Sequence, residues 1–205
     1  GDKRMDDLAH EFTKLLSAAF SMTAATGGIL GFSLFCLYPD FMKYMSNVFG
    51  PAMFIYTLLF IGEGFSLYFY YYSWDRLQNN KALHIGVGGL LNLFGIALMM
   101  IGNSWTTFMM APSGIDPETN EFVGTVWQAT ANFLWQPLNI HRFIANIVLG
   151  GFVAGAYAAV KFMGAKTVEE KAHYDWMGYI GNFVGIGAMT PLPFAGYFLG
   201  REVYS

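Results

Sequence analysis

Apolar positions along this chain run on without interruption rather than alternating. Five stretches, near Leu15–Leu37, Gly50–Trp74, Ala82–Met110, His141–Met163 and Trp176–Leu199, are long enough to cross a bilayer as helices, which takes about 20 residues. Pro39 closes the first, and "DRLQNNK" separates the second from the third. The polar loop "APSGIDPETNEFVGTVWQATANFLWQPLN" separates the third from the fourth. A barrel is excluded, because its strands are short and alternate in polarity. The pattern predicts an all-α, polytopic membrane bundle of about five transmembrane helices, with residues 1–205 as a single membrane domain of a larger assembly.

Composition supports that reading. The chain is 55% hydrophobic and 12% charged, about half the charge of an ordinary soluble domain. The net charge of −3 is small; it points to neither nucleic acid nor an acidic substrate, and no nucleic-acid partner is expected. Cys36 is the one cysteine, so an internal disulfide, a cysteine metal site and a Cys-x-x-Cys-His haem attachment are impossible. The polar start "GDKRMDDLAHEFTK" and the long apolar run after it do not form a signal peptide.

Basic residues set the expected orientation. With a cytoplasmic N-terminus, Lys3, Arg4, Lys14, Arg76, Lys81, Lys161, Lys166 and Lys171 lie inside, and only Lys43, Arg142 and Arg201 lie outside. That asymmetry obeys the positive-inside rule. It places the loop bearing Asp116, Glu118 and Glu121 outside, together with the C-terminus. The pairs Gly27/Gly31, Gly151/Gly155 and Gly181/Gly185 have the spacing at which helices pack closely in lipid. Pro191 and Pro193 are expected to kink or loosen the fifth span near its outer end.

Within the spans, chemistry is sparse. Glu63 falls near the middle of the second, where an ionised acid costs on the order of 3 kcal/mol. It stays protonated, faces a water-lined path or buried cation, or hydrogen-bonds a neighbouring helix. Gly62 and Gly64 are expected to leave room beside it. The functional reading of an acid so placed is a proton relay. With no cysteine ligands available, haem would be held through imidazole or thioether. His10, His84 and His173 lie at expected inner helix ends, as interfacial residues do. His141 opens the fourth span beside Arg142, a pairing that suits a haem iron and propionate and equally suits two residues facing water. Asn92, Asn103, Asn146 and Asn182 read as bridges between helices. "YFYYYSW" reads as an interfacial anchor.

The order of these pieces resembles one family. "FTKLLSAAFSMTAATGGILGF", "FGPAMFIYTLLFIGEGFSLYFYYYSWDRL", "MIGNSWTTFMMAP" and "RFIANIVLGGFVAGAYAAVKFMG" are similar to helices two to six of subunit I of the cytochrome bd-type quinol oxidases. "SWDRL" (Ser73–Leu77) and "GNSW" (Gly102–Trp105) carry most of the specificity. The resemblance implies haem b, with haem d as a second type, and quinol as the substrate of the complex. It also implies a prokaryotic inner membrane and other subunits of a membrane redox complex as partners. It makes Glu63 the second of two proton-passing acids; the first would fall near Ile55 or Tyr56, where none stands.

The position of the family's low-spin haem histidine falls on Ala145 or Asn146. His141 lies four or five residues earlier; four residues return to within roughly 40° of the same face, one turn higher, so the resemblance makes it a ligand of a haem displaced outward by about 6 Å. Arg142, Asn103, Trp105 and Asn146 complete the expected cofactor-binding set. The family's first helix, its outer quinol loop and its "GRQPW" signature have no counterpart in this sequence. The expected function is a membrane subunit of a quinol:oxygen oxidoreductase, one piece of a divided core. The alternatives are an electron-transfer or anchoring subunit without oxygen reduction, and a bare helical scaffold.

Overall fold

A computed structural model of the chain describes residues 3–204. Gly1, Asp2, Ser205 and the side chain of Arg4, one of the inner basic residues counted above, lie outside the described residues. The elements in order are α1 (Lys3–Leu37), α2 (Pro39–Tyr72), α3 (Lys81–Met110), the short α4 (Val126–Thr130), α5 (Trp135–Gly164), α6 (Val168–Met189) and α7 (Leu192–Val203). Five helical segments are long and apolar enough to cross a membrane, the last of them running through α6 and α7. The chain is an all-α polytopic bundle; among the described residues the only strand-like pairing is an isolated bridge between Ile115 and Phe122.

The helices extend beyond the apolar stretches that mark them. α2 has 34 residues, about 51 Å at 1.5 Å per residue, whereas the hydrocarbon core of a bilayer is about 30 Å. Pro39 at its start has its φ preset for a helix, and Asp40 in the first turn suits the positive helix end. α6 starts at Val168 rather than Trp176 because Thr167 and Glu170 form a capping box. Hydropathy marks only the part of a helix that meets lipid, so it misses such extensions.

The chain divides into two compact units, residues 13–135 and residues 1–12 with 136–205. In the first, α2 packs along α3. Its core is Met45, Val48, Phe49, Phe108 and Ala129, flanked by Trp105, Ile115 and Phe122. The loop after α3 folds onto this core rather than trailing away. Ser113 Oγ donates to the Gln128 carbonyl at 2.6 Å, Trp135 Nε1 donates to the Met100 carbonyl at 2.8 Å, and a Thr125–Gln128 capping box starts α4. Gly114 has φ +79° and sits against Gly124, a close approach that a side chain would block.

In the second unit, Leu8, Ala158 and Met177 form the core with Phe12, Tyr157, Tyr174 and Trp176 around them. Here α5 and α6 cross at glycines: a Cβ on Gly151 would lie 2.5 Å from the Gly185 amide nitrogen, and one on Gly181 2.8 Å from the Gly151 carbonyl oxygen. Two of the three glycine pairs named above therefore meet each other, whereas Gly27 and Gly31 have nothing within 4 Å of a built Cβ. The expected disturbance at Pro191 and Pro193 takes the form of a break: α6 ends at Met189 and α7 begins at Leu192.

Gly151→Ala therefore forces two backbones apart, at a cost of about 1–3 kcal/mol for overpacking. Gly27→Ala adds a methyl to open space and gains helix propensity. Thermal unfolding of the purified protein in detergent should show a lower midpoint for the first variant and an unchanged or higher one for the second. Equal midpoints would mean that the crossing is not as close as described.

Candidate functional site

Glu63 lies on the α2 face that packs on α3. Its carboxylate fills a notch made by Gly95: a Cβ built there would come within 2.9 Å of Glu63 Oε1. The room expected beside Gly62 and Gly64 is taken by aromatic rings. A Cβ on Gly62 would meet the Phe94 ring at 2.9 Å, and one on Gly64 would meet Phe20 at 3.4 Å. The glycines on α2 thus admit neighbouring helices, and the space for the acid is provided across the interface by α3. Ile55 and Tyr56, where a preceding acid would fall, are exposed.

Asn103 and Trp105 stand at the far end of α3, in the core of the same unit. Asn103, Ser104 and Thr107 are fully buried, with the Thr107 hydroxyl donating to the carbonyls of Asn103 and Ser104 at 3.1 and 3.2 Å. Trp105 packs on Phe49, with ring centroids 6.1 Å apart.

His141, Arg142 and Asn146 belong to the other unit, on α5. Because α5 begins at Trp135, His141 sits in its second turn rather than opening it. The imidazole lies against α7, where a Cβ on Gly196 would be 3.4 Å from its Cε1 and 3.6 Å from its Nδ1. Nδ1 is buried with no hydrogen-bond partner among the described residues. Arg142 and Asn146 are exposed. Along α5, Arg142 is rotated about 100° from His141 and Asn146, five residues on, about 140°, so neither shares the His141 face.

The other histidines are engaged. His84 stacks on Tyr70 with centroids 4.0 Å apart and sits edge-on to Trp74 at 4.7 Å. Its Nε2 is 3.1 Å from the Tyr70 carbonyl oxygen. His173 Nε2 is 3.0 Å from Glu11 Oε2, while the Tyr157 hydroxyl donates to Glu11 Oε1 at 2.9 Å. His10 also has an interaction partner. Among the described residues no three His, Cys, Asp or Glu side chains gather as a metal site. If a haem were bound in this unit, the His141 Nδ1, enclosed and without a hydrogen-bond partner among the described residues, would be the imidazole nitrogen to hold its iron.

Two features were not foreseen. One is the Glu11–Tyr157–His173 cluster, which joins positions far apart in sequence and left no local mark. The other is the register of α2 on α3. Glu63 and Tyr70 are seven apart, and so are Gly95 and Gly88, which face them. That matched spacing was present in the sequence as a signal.

The family model described as cytochrome bd terminal oxidase subunit I matches residues 1–205. No curated protein matches the chain, and no solved structure does.

Gly95→Ala should push the Glu63 carboxylate out of its notch and destabilise the protein. In a Glu63→Ala background the same methyl meets no carboxylate. A double-mutant cycle read by thermal unfolding should therefore give a coupling of at least about 0.5 kcal/mol. Strict additivity would place the carboxylate elsewhere.

Proposed function

The chain belongs to the cytochrome bd terminal oxidase subunit I family, and we propose that it is a membrane subunit of a quinol oxidase-like complex in a prokaryotic inner membrane, acting with other subunits. The N-terminus lies in the cytoplasm and the C-terminus outside, as the basic residues suggest. Haem b, and haem d where oxygen is reduced, supply one-electron transfer when bound, with quinol as the electron source.

The observation that carries the proton part is Glu63, a single carboxylate packed between two spanning helices against a glycine notch. Every electron delivered to dioxygen must be met by a proton for water to form. An acid held inside a membrane bundle, with no ion pair to a cation among the described residues, is suited to accept and pass on that proton. His141 would hold a haem b iron, a reading supported by its enclosed ring nitrogen, which has no hydrogen-bond partner among the described residues. Arg142, on the same turn, suits a propionate. For Asn103, Trp105 and Asn146 the cofactor-binding part rests on resemblance alone.

A second reading, an electron-transfer or anchoring subunit without oxygen reduction, is favoured by one observation. Ile55 and Tyr56 stand where the family's first acid would be, which leaves Glu63 to act by itself.

A reduced-minus-oxidised absorption spectrum of the purified complex, with and without carbon monoxide, tests these readings. Haem bands that respond to carbon monoxide support the oxidase; a low-spin b signal with no gas response supports the second reading. His141→Ala should remove one b-type signal, and retention of every haem would exclude it as a ligand. Glu63→Gln should lower quinol-dependent oxygen uptake by roughly 100-fold with the haem spectrum unchanged.

A further inference from the structure

The α2 face that carries Glu63 continues as a polar line towards the C-terminal end of the helix. Ser66, Tyr70 and Ser73 follow Glu63 by three, seven and ten residues, a spacing that keeps to one side of a helix. Ser66 and Ser73 are each only 8% exposed. The Ser73 hydroxyl is enclosed with no hydrogen-bond partner among the described residues. Burying hydroxyls along a lipid-embedded interface is costly, and in the largely aromatic and aliphatic stretch from Phe54 to Tyr72 their alignment with Glu63 needs an explanation.

α3 meets this line with glycines. Gly95 faces Glu63, and Gly88 faces Tyr70, where a Cβ would come within 3.0 Å of the ring. At the far end His84 lies on Tyr70 and against Trp74, its Nε2 3.1 Å from the Tyr70 carbonyl oxygen. Asp75, Arg76 and Lys81 are exposed on the turn beside it. A tyrosine on a helix leans towards the helix N-terminus, so the Tyr70 phenol is directed from His84 towards Ser66 and Glu63. The rise from Tyr70 to Glu63 is about 10 Å, a gap that one or two bridging waters and the Ser66 hydroxyl can span.

We propose that His84, Tyr70 and Ser66 form a proton path that loads Glu63 from the α2–α3 turn, with Ser73 supplying a further hydroxyl at its mouth. This rests on the reading of Glu63 as a proton carrier. A proton taken from water at the His84 end is received by one hydroxyl oxygen as that hydroxyl gives up its own proton to the next. The last O–H bond forms on the Glu63 carboxylate. Each hydroxyl is left neutral and turns back, so the net change is one proton moved from water to the acid. No oxidant or reductant is required.

The test reads the acid itself. In the purified protein at acid pH, the Glu63 carboxyl infrared band is identified by its loss in Glu63→Gln, and its shift is followed after transfer to D2O. Ser66→Ala and Tyr70→Phe, which remove hydroxyls with little change of shape, should each slow the exchange about tenfold or more. Tyr68→Phe is the control; that hydroxyl lies on another face, 2.8 Å from Ser21 Oγ on α1, and its removal should leave the rate unchanged. Wild-type exchange rates in both Ser66→Ala and Tyr70→Phe overturn the path, as does equal slowing by Tyr68→Phe or the lack of any Glu63 carboxyl band. If Tyr70→Phe does not fold, Ser66→Ala decides the matter. Because exchange is read without turnover, the path stands or falls separately from the effect of Glu63→Gln on oxygen uptake.

Discussion

Close approach of helix backbones at glycine is the constraint on which the rest of this structure depends. Inside a bilayer, burying a leucine against a helix gains little over leaving it in lipid, so association relies on dispersion and on backbone proximity. In one unit, Gly151 and Gly155 of α5 lie against Gly181, Gly185 and Asn182 of α6 at distances that leave no room for a methyl. In the other, α2 and α3 approach at Gly62, Gly88 and Gly95, each glycine opposite a side chain of the facing helix. The first arrangement brings backbone against backbone; the second makes notches that hold particular side chains.

That difference separates packing from chemistry. The backbone-on-backbone crossing of α5 and α6 leaves no room for a side chain where Gly151 meets Gly181 and Gly185. The notches of α3 hold the Glu63 carboxylate and the Tyr70 ring in register, so a polar line persists between two apolar helices. Its position is fixed at the far end of α3 by the core of Met45, Val48, Phe49, Phe108 and Ala129. The loop that folds onto this core is tied by Ser113, Trp135 and its capping box. A polar loop with that many internal hydrogen bonds acts as a lid on the core.

The broad architecture was legible because long apolar runs have few physical solutions in lipid. Glu63 and His141 were legible for the same reason, as rare polar groups among apolar neighbours. What the apolar runs could not reveal were the helix extensions: the first turns of α2 are amphipathic and bury Met42, Met45, Val48 and Phe49 beside the loop rather than in lipid. The surroundings of Glu63 were misjudged at Gly62 and Gly64, because a glycine leaves space only until a neighbour fills it, and here Phe94 and Phe20 do.

The sequence by itself determined the number of spans and a disturbance of the last one at Pro191 and Pro193, and it marked Glu63 and His141 as rare polar groups in apolar surroundings, since each follows from local composition and stereochemistry. Only the tertiary structure decided which glycines meet and which face open space. It likewise decided that Gly95 and Gly88 stand opposite Glu63 and Tyr70, that His84 stacks on Tyr70, and that His141 keeps a ring nitrogen with no hydrogen-bond partner among the described residues. Those outcomes depend on the register of one helix against another, a sum of many small contacts that no single position in the chain records.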